Sequence, residues 1–219
     1  MASELIQIYY RDEQKNNCFP FARLHHNQGL SIFFENSVIK SLVESTSADK
    51  IGVCSWKLRN KMKANVRRPR ELTQEVLESE YLVLSFTGNT RSHQMLYAAN
   101  RWHPGFTDVL KKLGEIIGVF IPREVQQPIY QNAFMALTGI YRDYVKTYLG
   151  PAMEAMNEEP LREMVTVNSN YSQLQRQNAA TPEELQEKIG MPYYPLAPFI
   201  LERLFSIYVH NQKLNVTWL

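Results

Sequence analysis

The sequence predicts an α/β fold, a mostly parallel sheet flanked by helices, and three observations carry that expectation. Leu5-Ile-Gln-Ile-Tyr-Tyr alternates and is rich in β-formers, so it reads as a first strand. Apolar residues at helical spacing then run from Leu30 to Val43, and Lys50 to Trp56 forms a second strand. Strand, helix and strand of these lengths make a crossover unit whose strands lie parallel. Tyr81-Leu-Val-Leu-Ser-Phe86 is a continuous apolar run bounded by Thr-Gly-Asn, which suits a strand covered on both faces.

The elements follow in order. Arg11-Asp-Glu-Gln-Lys-Asn-Asn breaks the first strand into a loop, and His25 and His26 fall in a second loop before the turn signal Asn27-Gln-Gly29. In the first helix Phe33, Phe34, Val38, Ile39 and Leu42 share a face, while Glu35, Asn36 and Lys40 are expected to point away. Ser45-Thr-Ser-Ala-Asp ends that helix. Glu71 to Glu80 is a short helical stretch after Pro69, Gln94 to Arg101 a further helix, and Phe106 to Ile117 another. Val119-Phe-Ile121 and Tyr130 to Leu137 read as strands, the second carrying Asn132. Ile140 to Met156 is an amphipathic helix broken at Gly150-Pro151, and Asn168 to Ala180 is an exposed polar loop. Thr181-Pro-Glu-Glu carries an N-cap, a proline in the first turn and two acids on the positive dipole end. Pro198 to Tyr208 is a last, mostly apolar helix. The expectation is one α/β domain over 1–219, helical from about residue 140 onward.

Charge is unevenly placed. Lys57, Arg59, Lys61, Lys63, Arg67, Arg68 and Arg70 follow Trp56 with no acid until Glu71. The chain has 24 Lys and Arg against 22 Asp and Glu; without these seven, 17 basic residues face 22 acids. Beyond the carboxyl ends of the strands of an open α/β sheet lies the crevice where ligands bind. A basic arm there suits a phosphate, a diphosphate or a carboxylate, and such a run is also compatible with a solvated face. Net charge of +2 argues against a dedicated nucleic-acid binder. The alternative of a nucleic-acid or anionic-polymer binder using residues 57 to 70 predicts affinity that falls steeply with salt.

Other classes are excluded by what the sequence lacks. There is no Walker motif, no GxGxxG and no HExxH, and five histidines give no metal-ligand spacing. Cys18 and Cys54 form no CxxC and read as reduced thiols in a core. No apolar run approaches a membrane span, and the amino terminus lacks a signal-peptide pattern, so a cytoplasmic protein is expected. Three polar loops gather at the strand ends: Tyr10, Arg11, Asp12 and Glu13; Ser55 to Arg59; and Thr87 to His93, with Asn89, Arg91 and His93. Tyr9, Tyr10 and Trp56 there could stack on a base or sugar or belong to the core. Glu78 and Glu80 precede a strand and read as structural. Glu202 and Arg203 stand in an otherwise apolar helix, and Glu202, with Pro198, Phe199, Phe205 and Ser206 on its face, needs a partner because an unpaired buried charge is costly.

These landmarks in this order resemble bacterial glycosyltransferases of the capsular-polysaccharide and lipopolysaccharide type, with a GT-A-like nucleotide-sugar fold. Ile6-Gln-Ile-Tyr-Tyr-Arg-Asp-Glu is similar to that family's first strand and loop. Ser47-Ala-Asp-Lys-Ile-Gly-Val-Cys-Ser-Trp-Lys-Leu-Arg is similar to its second strand, D-Y-V-G-L with a His-Tyr-Arg-Arg run. Pro198-Phe-Ile-Leu-Glu-Arg-Leu-Phe is similar to its G-F-L-A-E-R-L helix, and Asn132-Ala-Phe-Met with Ile140-Tyr-Arg-Asp-Tyr to the segment between. Ser55-Trp56 replaces the His-Tyr, and no Asp-x-Asp is present.

The resemblance implies a nucleotide-sugar donor and a glycan acceptor. A divalent metal (Mn²⁺ or Mg²⁺) would be the cofactor where an Asp-x-Asp exists; no metal ligand is assigned here. Lys57 and Arg59 would face the diphosphate and Glu202 the acceptor. Asp12, Glu202 and Asp49 are the candidate proton acceptors, and Asp12 and Glu202 are taken as catalytic. Tyr10, Arg11, Ser55, Trp56, Lys57, Arg59, Asn89, Arg91, His93 and Arg203 are taken as substrate-binding. A non-catalytic binding protein on the same scaffold is the alternative.

Overall fold

A computed structural model describes residues 1–29, 31–65, 71–87, 95–130, 132–171 and 180–219, with residues 63–65 described by backbone only. Among these, six strands form one mixed, mostly parallel sheet in the order β2-β1-β3-β5-β4-β6. They are β1 Ser3–Tyr9, β2 Arg23–His26, β3 Lys50–Ser55, β4 Val83–Ser85, β5 Phe134–Leu137 and β6 Val216–Trp218. β1 pairs in parallel with β2 (Tyr9 opposite His26) and with β3 (Ile8 opposite Ser55). β5 runs antiparallel to both β3 and β4, and β6 lies parallel to β4. Five strands therefore point one way and β5 against them.

The period-two pattern divides β1 between two cores. Ile6 and Ile8 enter the larger one, with α1 (Asn36–Ser45), α5 (Phe106–Ile117) and the carboxyl-terminal helix; Leu5 enters the smaller, with Cys54, Leu77 and Met135. Gly52 is fixed by the β3–β5 approach, because a Cβ there would meet the Phe134 carbonyl at 2.9 Å. The remaining helices are α2 Leu58–Asn65, α3 Gln74–Glu78, α4 Met95–Trp102, α6 Thr138–Tyr144, α7 Gly150–Ala155, α8 Leu161–Val165, α9 Pro182–Ile189 and α10 Ala197–Asn211. No helix among the described residues is long and apolar enough to cross a membrane. Cys18 and Cys54 are buried free thiols, as expected.

Several sequence expectations are corrected. Val119–Ile121 is not a strand: Gly118, left-handed at φ 70°, ends α5, and the Val119 amide donates back to the Gly114 carbonyl at 2.8 Å. The strand expected over Tyr130 to Leu137 is confined to β5, because Asn132 is left-handed at φ 51°. The helix expected to break at Gly150-Pro151 runs on. Val145–Leu149 widens into a π-turn whose last bond joins the Gly150 amide to the Val145 carbonyl, and Pro151 falls at the start of α7. The first helix begins at Asn36 rather than Leu30, after Phe34 at φ 49°. Its phase therefore differs from the expected one: Asn36 is buried and Glu35 half-buried. Strands β2 and β6 and the 3₁₀ turn Asp12–Asn17 were not expected.

Candidate functional site

β1, β2 and β3 end together at Tyr9, His26 and Ser55. Their carboxyl edge opens into a cleft of ≈ 990 Å³. Such a position is the usual ligand crevice of an α/β sheet. Tyr10, Ser55 and Trp56 line it from the strand ends, Phe34 and Glu35 from the entry to α1, and Phe199, Glu202 and Arg203 from α10.

Local chemistry explains how these groups come together. The Trp56 amide donates to the Ile8 carbonyl at 2.8 Å, extending the β1–β3 pairing by one residue. Ser55 Oγ then accepts from the Lys57 amide at 3.2 Å as the chain turns toward α2. Lys57 and Lys61 both line the cleft, as their spacing of four allows across a helix entrance. On the opposite side Asn27 joins two loops: its amide donates to the Tyr9 carbonyl at 2.9 Å, and its side-chain Nδ2 donates to the Phe34 carbonyl at 3.3 Å.

Three carboxylates, Glu13, Glu35 and Glu202, and three ammonium groups, Lys57, Lys61 and Lys188, line this space, and Glu35, Glu202, Lys57 and Lys61 act on one another. Burial raises the Glu35 carboxyl above its ordinary range; Lys61 opposes that rise, Glu202 adds to it, and Lys57 opposes it. The Lys57 ammonium is shifted down, first by burial and then by Lys61, while Glu35 and Glu202 pull it back. Glu202 is ion-paired to Arg203 at 2.9 Å, which supplies the partner its apolar surroundings demand. The Tyr10 phenol is pushed well above 10 by burial and then by Glu35. Its buried hydroxyl faces Glu35 and Asn27 but reaches no partner at hydrogen-bonding geometry, and Arg203 Nε is likewise unsatisfied.

A band of rings completes the wall. Phe34 stacks on Tyr194 at 5.6 Å, Tyr171 meets Tyr194 edge-on at 4.9 Å and Phe199 at 5.1 Å, and His103 stacks on Phe199 at 4.1 Å. His103 is shifted down by burial, and its Nδ1–H donates to the Ser169 carbonyl at 2.9 Å. Helix α9 is tied across the cleft's edge by Arg11 to Glu184 at 2.8 Å and by Lys188 over the Tyr10 ring at 5.8 Å.

Of the residues singled out in the sequence, Tyr10, Arg11, Ser55, Trp56, Lys57, Glu202 and Arg203 line this one cleft. Asp12 does not: it is exposed and paired with Lys15 at 2.8 Å, which holds its carboxyl below the usual range. Arg59 is exposed outside the cleft, 6.0 Å from the Phe19 ring. Asp49 accepts from the Ala2 amide at 2.8 Å beside the start of β3, the sheet's other edge. Asn89, Arg91 and His93 lie outside the described residues, as do Arg67, Arg68 and Arg70. Tyr9 is buried and stacked on His26 at 4.8 Å, a core role.

Sequence reasoning missed Glu35 and the ring band of Phe34, Tyr171 and Tyr194. It saw Lys61 only as part of a basic run; the spacing from Lys57 was the available signal. For Glu35 there was none, because helical periodicity placed it on the outer face. The donor set does not fit a divalent cation. Glu13, Glu35 and Glu202 share the cleft with three lysines, and among the described residues no three of His, Cys, Asp and Glu cluster to hold an ion. Comparison with protein-family models, curated proteins and solved structures returns no match.

Proposed function

We propose that the cleft binds a nucleotide-sugar donor and transfers its sugar to a hydroxyl of a glycan acceptor. One observation carries this reading: Lys57 and Lys61 stand beside Glu35 and Glu202 in a ring-lined cleft at the carboxyl ends of β1 and β3. Cations suit a diphosphate, rings suit a base and the apolar face of a sugar, and a carboxylate suits an attacking hydroxyl. Sugar transfer builds positive charge at the anomeric carbon while negative charge grows on the departing diphosphate. Groups aimed at that growing charge give the largest catalytic contribution, more so where water is excluded. On this reading Lys57 and Lys61 fill that role directly, and Trp56 and Tyr10 seat the planar parts of the donor. The unsatisfied Tyr10 hydroxyl and Arg203 Nε are polar contacts left for a bound molecule to complete.

Thermal shift against UDP-, GDP-, CMP- and dTDP-sugars, with and without Mn²⁺, tests it. A ligand at about a hundred times its Kd adds about 2.7 kcal/mol. For a chain of this size that raises Tm by roughly 5–10 °C. One nucleotide class is expected to give that rise, without a requirement for Mn²⁺. Lys57→Ala with Lys61→Ala is expected to remove it while the fold stays intact. A folded protein that no nucleotide stabilises would falsify the donor site.

A further inference from the structure

We infer that Glu35, rather than Asp12 or Glu202, is the catalytic carboxylate that takes the proton of the attacking hydroxyl. This assignment rests on the donor-site reading above, but it is carried by the cleft's own geometry. Glu202 is engaged by Arg203 at 2.9 Å, and Asp12 lies outside, paired with Lys15. Glu35 makes no ion pair among the described residues, lines the cleft, and faces the one phenol there whose hydroxyl is buried and unsatisfied.

Its position is held from both sides. Phe34 adopts a left-handed φ of 49°, uncommon for an aromatic residue and typical of constrained functional backbone. The Phe34 carbonyl accepts from Ser37 Oγ at 2.6 Å and from Asn27 Nδ2 at 3.3 Å. Asn36, next in the chain, is buried, donates to the Phe33 carbonyl at 3.1 Å and accepts from Asn132 Nδ2 at 3.1 Å. A carboxylate between two such anchors is aimed before any substrate arrives, which is what proton transfer from a bound hydroxyl requires.

The step balances. The acceptor O–H breaks and its proton passes to a Glu35 carboxylate oxygen, while the acceptor oxygen forms the new bond to the anomeric carbon. The bond from that carbon to the diphosphate breaks, and its electron pair leaves on the phosphate oxygen beside Lys57 and Lys61. Tyr10, whose phenol stays protonated at neutral pH, donates toward the incoming hydroxyl. The charged and titratable groups that act on Glu35 are Lys57, Lys61, Glu202 and Tyr10, with Tyr171 and Tyr194 sensing it from farther round the wall and Cys54 from the core.

The experiment uses the full chain and the nucleotide sugar found by thermal shift, with water as acceptor and release of the free nucleotide (the nucleoside diphosphate, or CMP from a CMP-sugar) as readout. Glu35→Gln is expected to leave Kd for that nucleotide within about twofold and to lower turnover by about a hundredfold or more. Glu35→Asp is expected to recover part of that loss. The wild-type rate is expected to fall on the acid side with a midpoint above the ordinary carboxylate value of ~4.3, and Glu35→Gln is expected to lack that limb. Glu35→Gln that binds and folds normally but turns over at more than half the wild-type rate overturns the assignment and leaves the donor site standing. So does an unchanged acid limb. Wild-type binding without any turnover overturns it as well and favours a non-catalytic binding protein. Absence of nucleotide binding removes the donor-site reading and this assignment with it.

Discussion

Lys50 opens β3 and is wholly buried, although lysine is among the residues least often found so. Its ammonium donates to the carbonyls of Ser79 and Glu78 and lies 4.2 Å from the centre of the Tyr81 ring. Those carbonyls stand at the end of α3, where a helix leaves its acceptors unpaired and where a cation is favoured by the dipole. The side chain thus fastens α3 to the sheet. Truncation takes a charged donor away from two part-buried acceptors and removes a desolvated cation–π contact. Lys50→Ala is expected to destabilise the fold by about 2–4 kcal/mol. Lys50→Met keeps much of the packing but not the donors and should fall in between. Urea midpoints measure both, and an unchanged midpoint for Lys50→Ala would show that water replaces the ammonium at no cost. In the sequence Lys50 looked like an ordinary strand start. Only the return of α3 to the sheet gives it a task.

Helix α9 shows what an element's own sequence can and cannot say. Thr181-Pro182-Glu183-Glu184 announces its start, and the cap forms as read. Thr181 Oγ1 accepts from the Glu184 amide at 3.2 Å, and Glu184 accepts from the Thr181 amide at 3.0 Å. What the segment could not disclose is that the other carboxylate oxygen of Glu184 reaches Arg11 at 2.8 Å, after β1. That contact belongs to the meeting of two distant parts of the chain. The pair is part-exposed, so alone it contributes about 0–1 kcal/mol, whereas loss of a cap costs ~1 kcal/mol. Glu184→Ala removes the tie and the returning half of the capping box, leaving the Thr181 hydroxyl on the amide of residue 184, and is expected to raise amide exchange over residues 182–189 by roughly twofold to thirtyfold. Arg11→Ala removes only the tie and should raise it by fivefold or less, through the smaller of those two contributions. Equal protection in all three proteins would mean that packing of Leu185, not these polar contacts, holds the helix.

At the scale of the molecule, legibility follows burial. β1 and β3 lie inside the sheet and their apolar patterns were plain, but the edge strand β2 is Arg-Leu-His-His and mostly exposed. β6 is a three-residue edge strand beside β4. The reversal of β5 depends on its partners rather than on any local pattern. Tyr10, Ser55, Trp56 and Lys57 were legible because strand-end loops of parallel neighbours must converge; Glu35 was hidden by one left-handed residue that breaks helical phase. The same burial sets how the whole fold responds to alkali. Burial raises the phenols of Tyr10, Tyr141, Tyr144, Tyr81 and Tyr208, and pushes the Cys54 thiol up to about 12. In the unfolded chain thiols ionise near ~8.5 and phenols near ~10. Above those values the folded state binds more protons than the unfolded one, so stability falls as pH rises. These groups contribute their full stabilisation below the unfolded values, and the Cys54 share is lost progressively between ~8.5 and about 12. Urea midpoints should therefore be level from about pH 7 to 8.5 as far as these groups decide them, then drop steeply above about pH 10. Cys54→Ala should delay the onset of the drop and leave its steep part, which belongs to the tyrosines. A midpoint as high at pH 10.5 as at pH 7 would mean that the buried phenols ionise without opening the core that surrounds them.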